Sequence, residues 1–285
     1  MIRVLYPLLL LVLYLSVVFP FSFYMTNKPY VEKLGYVPKG EVLEYLVADQ
    51  KESVAAVLVL KVLLYFGSLV DKSFNKLDLP PDYPAMSRVL HAAAKLDPYN
   101  MDAYYFAEAT LVWDAGQIQL ANNLLEYGMR YRNWDYYLPF FIGFNYAYFL
   151  KDYEKAAQFY KRAGELTGNE LFINLAGRYL YESGRSEMAI AYLSTMEKSA
   201  RNSAIRKSFQ IRLQALKEAR RIELARDRYV KETGHHPATV AELFEKGYLK
   251  KMPVDPYGGE YYLNSDGSVK STSKFAFGTR EKSGQ

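Results

Sequence analysis

Three histidines and no cysteine narrow the chemistry open to this 285-residue chain. His235 and His236 are adjacent and precede Pro237. Neighbouring imidazoles point apart more readily than they converge on one metal ion, so the pair is expected to pack in a turn. His91 lies beside Leu90 in an alanine-rich stretch and reads as a helix residue that is packed or half-exposed. Glu41 and Glu44 stand at i, i+3 on an expected surface helix, with no further catalytic partner in view. Without cysteine the chain has no disulfide, thiolate zinc site, covalent haem attachment or iron–sulfur ligation of its own. No glycine-rich phosphate loop, G-x-S-x-G elbow or H-E-x-x-H helix occurs. Neither an enzymatic activity nor a cofactor is expected.

The abundant residues are those of recognition and packing. The chain carries 27 tyrosines and 16 phenylalanines, enough to supply interlayer packing and, where exposed, large contact area at low entropy cost. Charge is uneven: residues 201–232 hold ten Lys and Arg against four acids, a local excess of six where the whole chain has +5. This stretch reads as a long solvated helix, with an anionic surface as the alternative partner. Nucleic acid is not expected, because no known binding module or aromatic platform accompanies the basic residues.

The elements that would position such side chains announce themselves by repetition. Ala121, Ala156 and Ala189 lie 35 and 33 residues apart, each in what reads as the second helix of a hairpin. A period near 34 marks a helix-turn-helix solenoid. In the clearest unit, Phe172 to Met196, Gly177 permits close helix approach, Gly184 makes the turn and Ala189 is the contact point, followed by Leu193 and Met196. The preceding unit keeps Gly143, Tyr153, Ala156, Tyr160 and Ala163, with one extra residue between Gly143 and Ala156. A weaker unit keeps Ala107 or Ala109, Ala121 and Leu125, with Gly128 where alanine is usual, and Met86 to Pro98 reads as a further second helix. This spacing resembles the tetratricopeptide repeat (TPR) over residues 53–216. The resemblance implies an adaptor or scaffold that holds a protein or peptide in a concave groove. Groove-facing candidates on the first helices are Tyr105, Asn145, Tyr148, Arg178 and Tyr181.

Val4 to Met25 is 22 residues without a charge, about 33 Å as a helix, which matches a bilayer core of about 30 Å. No small-residue cleavage site follows, so an uncleaved single-pass anchor in contact with the lipid bilayer is expected. Arg3 and the amino terminus oppose Lys28, Lys33 and Lys39 on the other flank, partly offset by Glu32, and the short leading tail favours a body on the periplasmic side of a bacterial inner membrane. Val54 to Val70 is a second apolar run, but Lys61 interrupts it. A buried first-repeat helix is expected there rather than a second span.

After Lys231 the periodicity changes. Thr239 to Glu242 makes a capping box opening a short helix that Gly247 closes, and Tyr261–Asn264 and Ser268–Ser271 read as strands about an Asp-Gly turn. A lone hairpin is marginal, so the basic helix before it must supply the packing surface. Gly234, Pro237, Leu243, Gly247, Tyr248, Leu249, Pro253, Asp255, Pro256, Tyr257, Gly258 and Tyr261 resemble the globular half of the major pseudopilin of type II secretion. The N-terminus lacks a pilin leader, so a pilus subunit is not implied. Asp255, Asn264 and Asp266 are oxygen donors without the spacing of a calcium loop, and no metal is expected.

The expected fold is mainly α: a TPR-type α-α solenoid with an N-terminal transmembrane helix and a small C-terminal α+β module of helix plus β-hairpin. Its parts are an anchor (1–26), a linker or leading helix (27–52), repeats (53–216), a long basic helix with the pseudopilin-like module (217–275) and a flexible tail (276–285). A membrane-tethered adaptor is the leading expectation. A component of a type II secretion or type IV pilus-like assembly, or an accessory subunit of a membrane enzyme complex, are the alternatives.

Overall fold

A computed structural model describes residues 2–27, 33–74 and 80–275. The expected tail, 276–285, lies outside them. The chain is mainly helical, with one small two-stranded sheet. It divides into two compact units, Met1–Ala103 and Tyr104–Gln285.

In the first unit, α1 (Ile2–Asn27) is a helix long and apolar enough to cross a membrane. The short α2 (Gly40–Leu46) and the long α3 (Lys51–Phe74) both pack on α4 (Tyr83–Leu96). Asp82 caps α4 by accepting from the Ala85 N–H at 3.1 Å, and the Asp82 N–H donates to the Tyr65 hydroxyl at 2.8 Å. α3 corrects one expectation. Ala55, Leu58, Val59, Val62, Tyr65 and Leu69 are buried, but Val57, Leu60, Leu63, Leu64 and Val70 are exposed. One face is core and the opposite face is an uncovered apolar stripe.

In the second unit, α5 (Met101–Ala107), begun just before it, continues as a π-helical turn (Glu108–Asp114). Then come α6 (Ile118–Tyr131) and α7 (Tyr137–Asn145), the latter also continued by a π-helical turn (Tyr146–Leu150). α8 (Tyr153–Thr167), α9 (Glu170–Glu182), α10 (Ser186–Ser199) and α11 (Ser203–Thr233) follow, each consecutive pair from α6 onward in contact. Small residues set these contacts. Ala121, Ala156 and Ala189 are fully buried. A methyl on Gly177 would lie 2.7 Å from Leu193 Cδ1, and one on Gly143 would lie 3.2 Å from the Tyr160 ring. At Gly128 the Tyr104 ring fills the space, 2.7 Å from where a Cβ would sit. Gly184 makes the α9–α10 turn at φ +78°.

A π-helical turn lies between Gly143 and Ala156. The π-helical turn Tyr146–Leu150 widens the backbone ring by one residue there and turns the residues that follow it. It ends with Lys151 in the left-handed region at φ +55° and the Asp152 N–H donating back to the Tyr146 carbonyl at 3.0 Å.

α11 is 31 residues long, capped by Asn202 and stopped by Gly234 at φ +78°. It runs unbroken across residues 216 and 217. Thr239 caps α12 (Val240–Glu245) by accepting from the Glu242 N–H at 3.1 Å. Glu242 in turn accepts from Tyr229, Lys246 and the Ala238 N–H, and these bonds hold its carboxyl at about 2. The antiparallel hairpin β1 (Tyr261–Leu263) and β2 (Val269–Ser271) pairs Tyr261 with Ser271 and Leu263 with Val269. Phe209, Leu216, Ile222 and Tyr229 of α11 share one core with Leu243, Leu249, Val269 and Phe275. The basic helix is the surface on which the hairpin folds. Arg212, Arg226 and Arg228 donate to the carbonyls of Phe275, Gly267 and Tyr248, while Arg220 and Arg221 pair with Glu187, Glu223 and Glu218. Much of the local charge excess is thus engaged inside the molecule.

Candidate functional site

The second unit contains a cleft of about 420 Å³ between the π-helical end of α7, the helix α9 and the hairpin. Its walls are aromatic: Phe144 and Tyr148 on one side, Tyr153 and Tyr179 at the base, Tyr262 and Phe275 from the hairpin region. Phe144 stacks on Tyr148, at 5.3 Å and 12°, and on Trp113, at 5.9 Å and 28°, and Trp113 and Tyr148 lie 6.3 Å from each other. Tyr179 is stacked on Tyr153 at 5.7 Å and on Tyr160 at 5.5 Å. These rings pack on one another along the cleft wall, each contact within the range of favourable aromatic pairs.

The charge of the cleft is one-sided. Lys151, Arg178, Lys270 and Lys274 line it, against the single carboxylate of Glu182. Lys270 pairs with Glu182 at 2.5 Å. Among the described residues no carboxylate pairs with Lys151, Arg178 or Lys274. Lys151 instead sits over the Tyr148 ring at 5.2 Å, and Arg178 over Tyr179 at 5.8 Å. Arg178 Nε is buried without a hydrogen-bond partner. Unneutralised cations beside a low-dielectric aromatic wall attract anions more strongly than the same charges on open surface.

Arg178 and Phe275 also line a second, larger cavity of about 720 Å³, whose other walls include Leu171, Leu175, Ile211 and Arg212. Burial lowers the pKa of the Arg212 guanidinium, which donates to the Phe275 carbonyl at 2.7 Å.

The five sequence candidates separate sharply. Tyr148, Arg178 and Tyr181 reach the cleft; Tyr148 is 55% exposed, whereas Tyr181 is 4% exposed and donates its hydroxyl to the Val269 carbonyl, fixing the hairpin to α9. Burial pushes the Tyr181 phenol far upward, as expected for a structural donor. Tyr105 lies outside the cleft, edge-on to Tyr137 and Phe141. Asn145 is a correction. Its side chain is fully buried and donates to Glu108 at 2.9 Å and Asn122 at 2.8 Å, so it faces the interior rather than a groove. Burial pushes the Glu108 carboxyl up to about 7, opposed by the bond from Asn145. His235 packs edge-on against Tyr229 at 5.4 Å, and Asp255 is buried, accepting from Ser271, Ser273 and the Tyr257 N–H.

Lys151, Lys270 and Lys274 were not legible as site residues. Lys270 of the hairpin and Lys274 just after it lie some ninety positions beyond Arg178, and no local pattern links such distant positions. No family model matches the chain, and no curated protein matches it.

Proposed function

We propose that this chain is a non-enzymatic adaptor, tethered to a bacterial inner membrane by α1, whose helix pairs form a TPR-type array and whose cleft receives an acidic segment of a partner protein. The observation that carries the reading is the meeting at one cleft of exposed Tyr148 with Lys151, Arg178 and Lys274, three cations that no carboxylate among the described residues pairs with. A carboxylate-bearing segment would neutralise the cations, and the stacked aromatic walls would supply contact area at little entropic cost. The period near 34 and the glycine and alanine contacts between paired helices support the repeat reading.

Fluorescence anisotropy on the full chain in detergent tests this with two defined peptides, one rich in Asp and Glu around a tyrosine and one with lysines in their place. The acidic peptide is expected to bind. Arg178→Ala and Lys274→Ala should each weaken it by about 1–3 kcal/mol, and added salt should weaken it further. Equal binding of the basic peptide, or indifference to both substitutions, would remove the reading.

A further inference from the structure

The α3 stripe has no counterpart in the recognition cleft. Val57, Leu60 and Leu64 are 61%, 51% and 65% exposed, and Leu63 and Val70 extend the same face. From Val57 to Val70 the stripe runs about 20 Å along the helix. Ala56, just before Val57, and Gly67 complete the face, and no exposed residue from 56 to 70 is polar.

We propose that α3 is a second membrane-contact element, lying along the bilayer surface with this stripe inserted at the boundary between headgroups and acyl chains. The proposal rests on the reading of α1 as a bilayer helix. Three observations favour lipid as the occupant. The stripe is wholly aliphatic, lacking the Tyr, Trp, Met and Arg that concentrate at protein interfaces. The chain between Asn27 and Gly40 holds twelve residues, a reach of at most about 40 Å, so this unit never leaves the neighbourhood of the membrane. The same unit exposes Tyr36 and Tyr45, at 86% and 93%, and amphipathic rings of this kind settle at headgroup depth.

The opposite face decides between lying on the bilayer and crossing it. Val62, Tyr65 and Leu69 are buried, and α3 packs on α4, which exposes Arg88 and carries the Lys95–Glu41 ion pair. A crossing α3 would draw these charges into hydrocarbon, at several kcal/mol per group. Lying flat costs nothing of the kind, and half-buried Lys61 at the margin of the stripe can extend its stem toward the headgroups.

The chain has no cysteine, so single spin labels can be placed at will. Val57→Cys, Leu60→Cys and Leu64→Cys mark the stripe, Leu13→Cys marks α1 and Arg88→Cys marks the opposite side. All are exposed positions, so the core is left intact. Full-length protein in phosphatidylcholine–phosphatidylglycerol nanodiscs is then measured by power saturation with oxygen and a water-soluble nickel chelate. The three stripe labels are expected at one shared depth, about 5–10 Å below the phosphates, with Leu13→Cys far deeper and Arg88→Cys in water. Stripe labels in water beside a deep Leu13→Cys would overturn this inference and leave the anchor standing. A depth that changes steadily along the stripe toward the bilayer centre would replace it with a second span. A Leu13→Cys label in water would overturn the anchor itself, and the inference with it.

Discussion

Glu108 offers the sharpest quantitative test of the interior. The residue is 4% exposed, and its carboxyl accepts one hydrogen bond from Asn145 at 2.9 Å and is shifted from 4.5 to about 7 by burial. A carboxyl whose folded pKa exceeds its unfolded pKa keeps its proton longer in the native state. The contribution of Glu108 to stability is therefore fully present below pH 4.5 and is lost as pH rises through about 7, where the native state must hold a buried charge. The shift corresponds to about 3 kcal/mol between the two limits. Glu108→Gln removes the ionisation, keeps an oxygen for Asn145, and offers an amide to the unpaired Asn145 Oδ1. Denaturant unfolding of full-length protein in detergent, followed from pH 4.5 to 8.5, gives the comparison. The two proteins should be close in stability at the acid end, and the variant more stable by about 2–3 kcal/mol at the alkaline end. Parallel pH profiles would refute the buried-carboxyl argument. The other strongly shifted acid, Glu242, is held at about 2 and titrates below this window, so it does not confuse the difference.

Gly177→Ala would press a methyl to 2.7 Å and 2.9 Å from two carbons of buried Leu193. The overpacking cost of about 1–3 kcal/mol exceeds the roughly 1 kcal/mol gained in helix propensity, so the midpoint of denaturation should fall. Gly67→Ala meets nothing within 4 Å and should be neutral or stabilising by up to about 1 kcal/mol in the same assay. Tyr181→Phe removes the bond to the Val269 carbonyl and should cost about 1 kcal/mol. Hydrogen exchange should then quicken first at the hairpin amides. Thr239→Ala deletes the α12 cap and should cost about 1 kcal/mol by denaturant midpoint.

Repetition made much of the helical order readable. Ala121, Ala156 and Ala189 marked contact points because only a small side chain fits where two helices touch, and all three are fully buried. Thr239, Gly247 and the Asp-Gly turn placed α12 and the hairpin for the same local reason: each solves a backbone problem within four residues. Faces were harder. Asn145 and Tyr148 sit three apart on what reads as one helix, yet one is fully buried and the other 55% exposed. The π-helical turn that begins at Tyr146 rotates the residues after it, which a 3.6-residue period does not anticipate. The cleft itself was half visible. Tyr148 and Arg178 belong to repeat helices, but Lys270 and Lys274 arrive only through the packing of the hairpin on α9 and α11. The apolar run of α3 was legible as a helix, while its uncovered face was not, because composition alone does not distinguish core from stripe.

The most direct test of the adaptor account is photocrosslinking in intact membranes, with a benzophenone amino acid placed at Tyr148 or Tyr262 in the cleft and at Tyr105 outside it. The account predicts that both cleft positions capture the same partner, that mass mapping finds the adducts in a segment rich in Asp and Glu, and that Arg178→Ala abolishes them. Capture from Tyr105 alone, or adducts on a basic segment, would contradict it.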